Sequence, residues 1–231
     1  MRDLRDTIEA LRERGRLLEV TEPVSPRYEA AAVLAEAGRG NLGGVLLSQV
    51  SGHSIPVAGN LVYGREVLAW AMGVAEDDTT TALTDRLQSP ISAQSVSTAP
   101  VLAQADTGTP LEQLLPVLTH YEGDSAPFIT TGLVSARDPN SGDLVRGIHR
   151  MELRGDRRVG ITLLNPPLGD VYGKYKAEGR AMPVAVSVGM DPLTFAAFAL
   201  KGAPGVDKLA LAGGLQGTPV EIVPGPVTGI E

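Results

Sequence analysis

Two apolar runs, Phe128 to Ala136 and Gly147 to Leu153, are joined by Asp138-Pro139-Asn140-Ser141-Gly142-Asp143. Asp-Pro opens the loop, and Asn-Ser-Gly is expected to supply the positive backbone angles such a turn needs, so the stretch predicts a long β-hairpin. Further short strands are expected beyond it. Val159 to Leu164, Pro183 to Val188, Val206 to Leu211 and Val220 to Val223 fit that pattern. Short strands parted by glycine turns close most easily into an antiparallel, barrel-like unit. Helices are expected within it at Asp170 to Gly179 and Thr194 to Leu200, and Gly213 to Gly217 reads as a turn between the last two strands.

Before the hairpin the texture differs. Leu4, Ile8 and Leu11 recur at helical spacing behind a capping Asp3, and Gly15 ends that helix before a short strand, Leu17 to Val20. Arg27 to Ala37, Gly64 to Met72 and Thr80 to Gln88 read as helices, with strands at Val45 to Val50 and Ile55 to Asn60. Alternating helix and strand predicts a small α/β layer. Ser89 to Pro110, rich in proline, serine, alanine and threonine, reads as a crossing segment, and Leu111 to Leu115 as a short apolar piece. The fold class is thus α+β, with an α/β domain over residues 1–110 and an antiparallel β domain over residues 111–231.

Composition narrows the chemistry. A net charge of −7 argues against nucleic acid or an anionic membrane surface, because phosphate binding needs clustered positive charge. No cysteine is present, which removes disulfides, thiolate catalysis and iron–sulfur clusters together. No run approaches the roughly 18 apolar residues of a membrane span. The N-terminus is too charged for a secretory signal, so a cytoplasmic protein is expected.

The three histidines, His53, His120 and His149, show no metal-ligand spacing, and each taken singly reads as structural or surface-bound. His120 and Asp124 share the polar cluster Leu118 to Asp124, which admits a proton-handling pair or a loop hydrogen-bond network. Phosphate-loop, dinucleotide and nucleophile-elbow motifs are missing. In Val145-Arg146-Gly147-Ile148-His149-Arg150, strand alternation puts Ile148 and Arg150 on one face and Gly147 and His149 on the other.

Several segments, in order, resemble the UbiD-type decarboxylases, which use prenylated FMN: LRDTIEALRERGRLLEV, PVAGNLVYGREVLAWAMG, PFITTGLVSARDP, GIHRMEL, MPVAVSVGMDP and KLALAGGLQGTPVEIV. The resemblance implies an N-terminal α/β domain followed by an FMN-binding split barrel. It also implies that the chain corresponds to the first two of three parts of a protein about twice as long. Arg150 matches the family's catalytic arginine, and Thr130, Gly147 and Ile148 match positions that lie against the flavin. The family's two catalytic glutamates belong to a later segment, and Glu221 is not equivalent to either; His149, His120 and Asp124 are the candidate acids by type. The family binds the flavin phosphate through a divalent metal on an Asn, a His and a Glu. Here Val145 and Lys208 stand at the first and last of these positions and no histidine falls at the second, so no divalent metal is expected. Lys208 then either contacts an anionic group directly or is a solvated surface residue.

Three functions follow as expectations. One is a carboxy-lyase acting on a conjugated or aromatic carboxylic acid, with prenylated FMN as cofactor. Another is a metal- and flavin-independent enzyme of a biosynthetic pathway that uses the former flavin cavity. The last is a non-catalytic subunit completing a partner. A small-molecule substrate and a homodimer, or association with another chain, are the expected partners.

Overall fold

A computed structural model describes residues 3–200 and 206–231. In chain order the elements are α1 (Leu4–Glu13), β1 (Leu17–Val20), α2 (Glu29–Arg39), β2 (Gly44–Leu47), β3 (Val57–Gly59), α3 (Arg65–Met72), α4 (Thr79–Leu87), β4 (Gln94–Ser95) and α5 (Leu111–Leu114). They continue with β5 (Phe128–Arg137), β6 (Leu144–Leu153), β7 (Val159–Ile161), α6 (Leu168–Ala177), β8 (Val184–Ser187), α7 (Pro192–Ala199), α8 (Lys208–Gln216) and β9 (Glu221–Ile222).

The chain divides into two compact units whose segments interleave. One compact unit takes Met1–Glu76, Asp106–Thr130 and Arg150–Ile161; the other takes Asp77–Ala105, Thr131–His149 and Thr162–Glu231. The physical reason is the hairpin: β5 and β6 are each ten residues long, and each strand runs from one unit into the other.

The first unit is the expected α/β layer. Asp3 accepts a hydrogen bond from the Asp6 amide at 2.8 Å and starts α1, and Gly15, at φ +62°, ends it. β1 and β2 pair in parallel with α2 as their crossover, and β3 closes antiparallel on β2. Val45 and Leu47 are fully buried in a cluster with Val24, Ala30, Ala37, Val50 and Leu118. Burial of each of those two side chains contributes roughly 1.5–3 kcal/mol.

In the second unit β5 pairs antiparallel with β8, from Leu133 opposite Ser187 to Ala136 opposite Val184. β4 and β9 form a short parallel pair. Leu133, Phe198 and Leu209 make a core cluster, with Ile148, Met190 and Val220 packed against it. The sheet that contains the hairpin has the order β7-β6-β5-β8.

Two expectations at the C-terminal end fail together. Val206 to Leu211 is not a strand and Gly213 to Gly217 is not an inter-strand turn: Asp207 caps α8, its carboxylate accepting from the Leu209 amide at 2.9 Å, and Gly217 at φ +73° ends the helix. Leu209, Leu211, Ala212, Gly213, Gly214 and Leu215 are all buried. A helix covered on every side loses the one-sided apolar stripe by which sequence patterns reveal helices.

The hairpin loop is as expected, although only Gly142 of the Asn-Ser-Gly run takes a positive φ, +80°. Its anchor is Asp138, buried, whose carboxylate accepts from the Lys174 ammonium of α6 and from the Asn140 amide at 2.9 Å. The Lys174 contact first, and the Asn140 amide next, hold this carboxyl below the usual aspartate range. Its contribution to stability is therefore complete above the unfolded-state value of about 4 and is lost as pH falls through the lower folded-state value. Melting curves of Asp138→Asn against the parent chain should show a gap at neutral pH that closes as pH falls through the lowered folded-state value. A gap independent of pH would assign the loop's stability to something other than this carboxylate.

Candidate active site

Arg150 lies on β6 in the first unit and is exposed, and its guanidinium makes no hydrogen bond or ion pair among the described residues. A planar five-donor group held on a strand and left unpaired can take a carboxylate through two parallel bonds. Thr130, on β5 in the same unit, is also exposed and offers a hydroxyl.

His120 and Asp124 fall in this unit too, but they do not form the proton-handling pair. One oxygen of Asp124 accepts the backbone amides of His120 and Tyr121, both at 3.0 Å. The carboxylate shapes its own turn, as aspartates commonly do, and its link to His120 runs through backbone, not imidazole.

Gly147, Ile148 and His149 belong to the second unit. The Nδ1 atom of His149 lies 3.3 Å from the Thr162 carbonyl oxygen, which can only accept, so this nitrogen carries the proton in that bond. A side chain at Gly147 would meet His149 Nε2 at 3.1 Å and Leu168 Cδ1 at 3.4 Å. The chain's own packing of the imidazole over β6 thus accounts for that glycine. Ile148 remains half-buried, packed against the Leu133, Phe198 and Leu209 cluster, as is Met190.

Lys208 begins α8, and it is neither a solvated lysine nor free. Its ammonium donates to the carbonyls of Phe198 and Leu200, both at 2.9 Å, at the end of α7, and sits 5.9 Å from the centroid of the Phe198 ring. Burial pulls its pKa down from the usual lysine value. At the opposite ends of the same helices, the buried Asp191 caps α7 by accepting from Leu193 and Thr194, and Gln216 of α8 donates to its other oxygen at 3.0 Å. α7 and α8 are therefore clasped antiparallel at both ends.

Arg146 was not singled out by sequence pattern, although a charged residue inside an apolar strand was a usable signal. It is half-buried and donates to the Glu231 carbonyl at 3.2 Å. Burial lowers its pKa, while the charges of Asp207 and Glu231 oppose the shift. With Arg137 near Glu231, at 3.9 Å, two cations of the second unit, Arg137 and Arg146, lie toward the Glu231 carboxylate, and Asp207 adds a second negative charge toward Arg146.

By residue type, Arg146 and Lys208 are cations of the kind a flavin phosphate takes, and Ile148 and Met190 pack against one apolar cluster. These groups do not suit a divalent metal. Valine at 145 has no lone pair, the Lys208 ammonium is already bonded to two carbonyls, and no group of three or more His, Asp or Glu that could hold a metal ion occurs among the described residues. No helix among the described residues is long and apolar enough to cross a membrane.

Comparison with known proteins agrees with this architecture. Residues 8–87 match the 3-octaprenyl-4-hydroxybenzoate carboxy-lyase N-terminal domain, and residues 93–231 match the Rift-related domain of the same carboxy-lyase. An anhydromevalonate phosphate decarboxylase of Methanosarcina mazei is 32% identical over 94% of this chain and 49% of its own length. Among solved structures, an evolved dimeric form of the UbiD-class enzyme HmfF from Pelotomaculum thermopropionicum, in complex with prFMN, aligns with a TM-score of 0.92 at 31% identity. That alignment covers 100% of this chain and 54% of HmfF. The closed form of a vanillic acid decarboxylase from Sedimentibacter hydroxybenzoicus aligns with a TM-score of 0.92 at 26% identity, over 100% of this chain and 52% of that one. The chain spans about half the length of the relatives it matches. With both of its halves matched, and with a similar protein above 30% identity across most of its length, this chain belongs to the UbiD family.

Proposed function

We propose that this chain carries the flavin-seating and carboxylate-binding part of a UbiD-type carboxy-lyase acting on a conjugated or aromatic carboxylic acid. The observation that carries the reading is Arg150: the residue at the family's arginine position is exposed and unpaired on β6, in a chain matched by the family over 93–231. Vanillic acid, the aromatic acid in the name of one similar enzyme, falls in the proposed substrate class.

Prenylated FMN, when bound, supplies a ring that can accept the electrons released as the carboxylate bond breaks. The chain's own residues bind and orient. In the first unit Arg150 offers its fork to the substrate carboxylate and Thr130 offers a hydroxyl; in the second, Ile148 offers an apolar side chain to the ring. Arg146 and Lys208 offer positive charge to the phosphate. His149 lies on the opposite face of β6 from Arg150 by strand alternation, and its part is to brace the strand through Gly147 and the Thr162 carbonyl.

Exposed valines on the edge strand β8, Val184 and Val186, and Val188 just after it favour association with a second copy or another chain. One experiment addresses both cofactor and assembly. The protein is co-produced with a prenylated-FMN synthase, its absorption and native mass are recorded, and carbon dioxide release is followed on a panel of aromatic and conjugated acids. A flavin absorption band, bound flavin mass on an assembly larger than a monomer, and carbon dioxide release are expected. A colourless monomer, inert after reconstitution, would sink the proposal.

A further inference from the structure

Carbonyls at the C-terminal end of a helix lack intrahelical donors and gather the negative end of the helix dipole. At the end of α7 the Phe198 and Leu200 carbonyls share one ammonium, that of Lys208, reached from the first position of α8. A lysine whose four-carbon stem is spent on holding two backbone oxygens is a fixed point charge, unlike the mobile lysines of a solvated surface. Three further facts bear on what that charge does. An ammonium has three N–H donors, and two are used here, which leaves one. Asp207, next to Lys208, gives one carboxylate oxygen to the Leu209 amide and lies within electrostatic reach of Arg146. Arg146 for its part donates to the Glu231 carbonyl.

The residues at this place cannot hold a divalent ion, since Lys208 and Val145 stand where ligands would be required and a dication would meet the ammonium as a like charge. We propose that Lys208 is a resident cation: it closes the α7–α8 junction through the two carbonyls and presents its third N–H to the phosphate of a flavin mononucleotide, which this chain binds without a divalent metal. The flavin half of this inference rests on the function proposed above, and the metal half does not. A divalent ion on a glutamate and a lone lysine carry the same net charge, so the exchange preserves the electrostatics a phosphate meets while removing dependence on a dissociable ion.

The test uses the full chain and two probes, FMN and Mn2+. Free Mn2+ is counted by electron paramagnetic resonance in the presence of the protein, and FMN binding is followed by fluorescence quenching with EDTA or with added Mn2+. The expected results are no Mn2+ uptake at protein concentrations of about 100 µM, and an FMN dissociation constant that changes less than twofold between EDTA and Mn2+. Loss of one charge-assisted bond corresponds to a change of roughly tenfold or more, so Lys208→Met should weaken FMN by at least that factor. Lys208→Arg, which keeps a cation and its donors, should recover most of the loss. Stoichiometric Mn2+ uptake, tenfold tighter FMN binding with Mn2+, or Lys208→Met binding FMN as well as the parent overturns the inference. Should Lys208→Met fail to fold, the Mn2+ count on the parent and the Lys208→Arg titration still decide it. Absence of FMN binding by the parent chain overturns the flavin half together with the proposed function, whereas Mn2+ uptake alongside flavin binding overturns the metal half alone.

Discussion

Arg150→Ala is expected to leave the melting temperature unchanged and to lower kcat/KM for carbon dioxide release by about 10²–10³, the usual cost of removing one preorganised donor from a developing charge. The two halves of that expectation have separate causes. The side chain is exposed and makes no hydrogen bond or ion pair among the described residues, so its loss leaves nothing buried without a partner. Its guanidinium offers a fork that a carboxylate can meet with both oxygens, and alanine offers nothing there. Arg150→Lys sharpens the test, because it keeps the charge and loses the planar fork. Recovery by lysine to near the parental rate would mean that charge alone matters. Activity of Arg150→Ala within a few-fold of the parent would remove Arg150 from the site.

Gly213→Ala is expected to destabilise the chain by about 3 kcal/mol, at the upper part of the usual range for overpacking. For a chain of this size that corresponds to a fall of roughly 6–12 °C in melting temperature. Position 213 is inside α8, where alanine is ordinarily the better helix former. Here an added Cβ would lie 2.4 Å from the Ile91 carbonyl oxygen. The obstruction is backbone and is itself tied down, since the Ile91 amide donates to the Ala210 carbonyl of the same helix at 2.9 Å. Gly214 meets the Arg86 and Ser89 carbonyls in the same way, at 2.7 and 2.8 Å. Gly173 is the matched control: it is inside α6 with nothing within 4 Å of an added Cβ, and Gly173→Ala should be neutral or slightly stabilising. Calorimetry on the two variants decides the matter, and a melting temperature for Gly213→Ala within about 2 °C of the parent would mean that α8 and the segment at residue 91 are not in close contact.

The hairpin was legible because its signals are local: alternation along each strand and an Asp-Pro-Asn-Ser-Gly loop that names its own turn. The capped α1 was legible for the same reason. The α8 helix was not, since its glycines answer to carbonyls of residues 86, 89 and 91 and its leucines are buried on all sides. Arg150 is singled out by its place in a motif, whereas the contacts of Lys208 carry no such mark. Its partners are backbone oxygens eight and ten residues back, and a backbone oxygen has no residue type to read. Asp124 failed in the opposite direction: a carboxylate next to a histidine invites a proton-transfer reading, yet the backbone amides it accepts are present in almost any sequence.

The interleaving of the two compact units bears on how the chain is made. A protein leaves the ribosome from its N-terminus, and a domain of contiguous residues can fold as soon as its last residue emerges. Here the first unit needs Arg150–Ile161, which follow the second unit's Asp77–Ala105 and Thr131–His149 in the order of synthesis. The three-stranded α/β sheet is complete by residue 59, whereas the last segment of its unit, with the end of β6 and all of β7, arrives only after most of the hairpin has been made. During that interval the apolar faces of β5 and β6 are exposed, so nascent chains stalled between residues 110 and 160 should be the ones that chaperones hold and proteases cut.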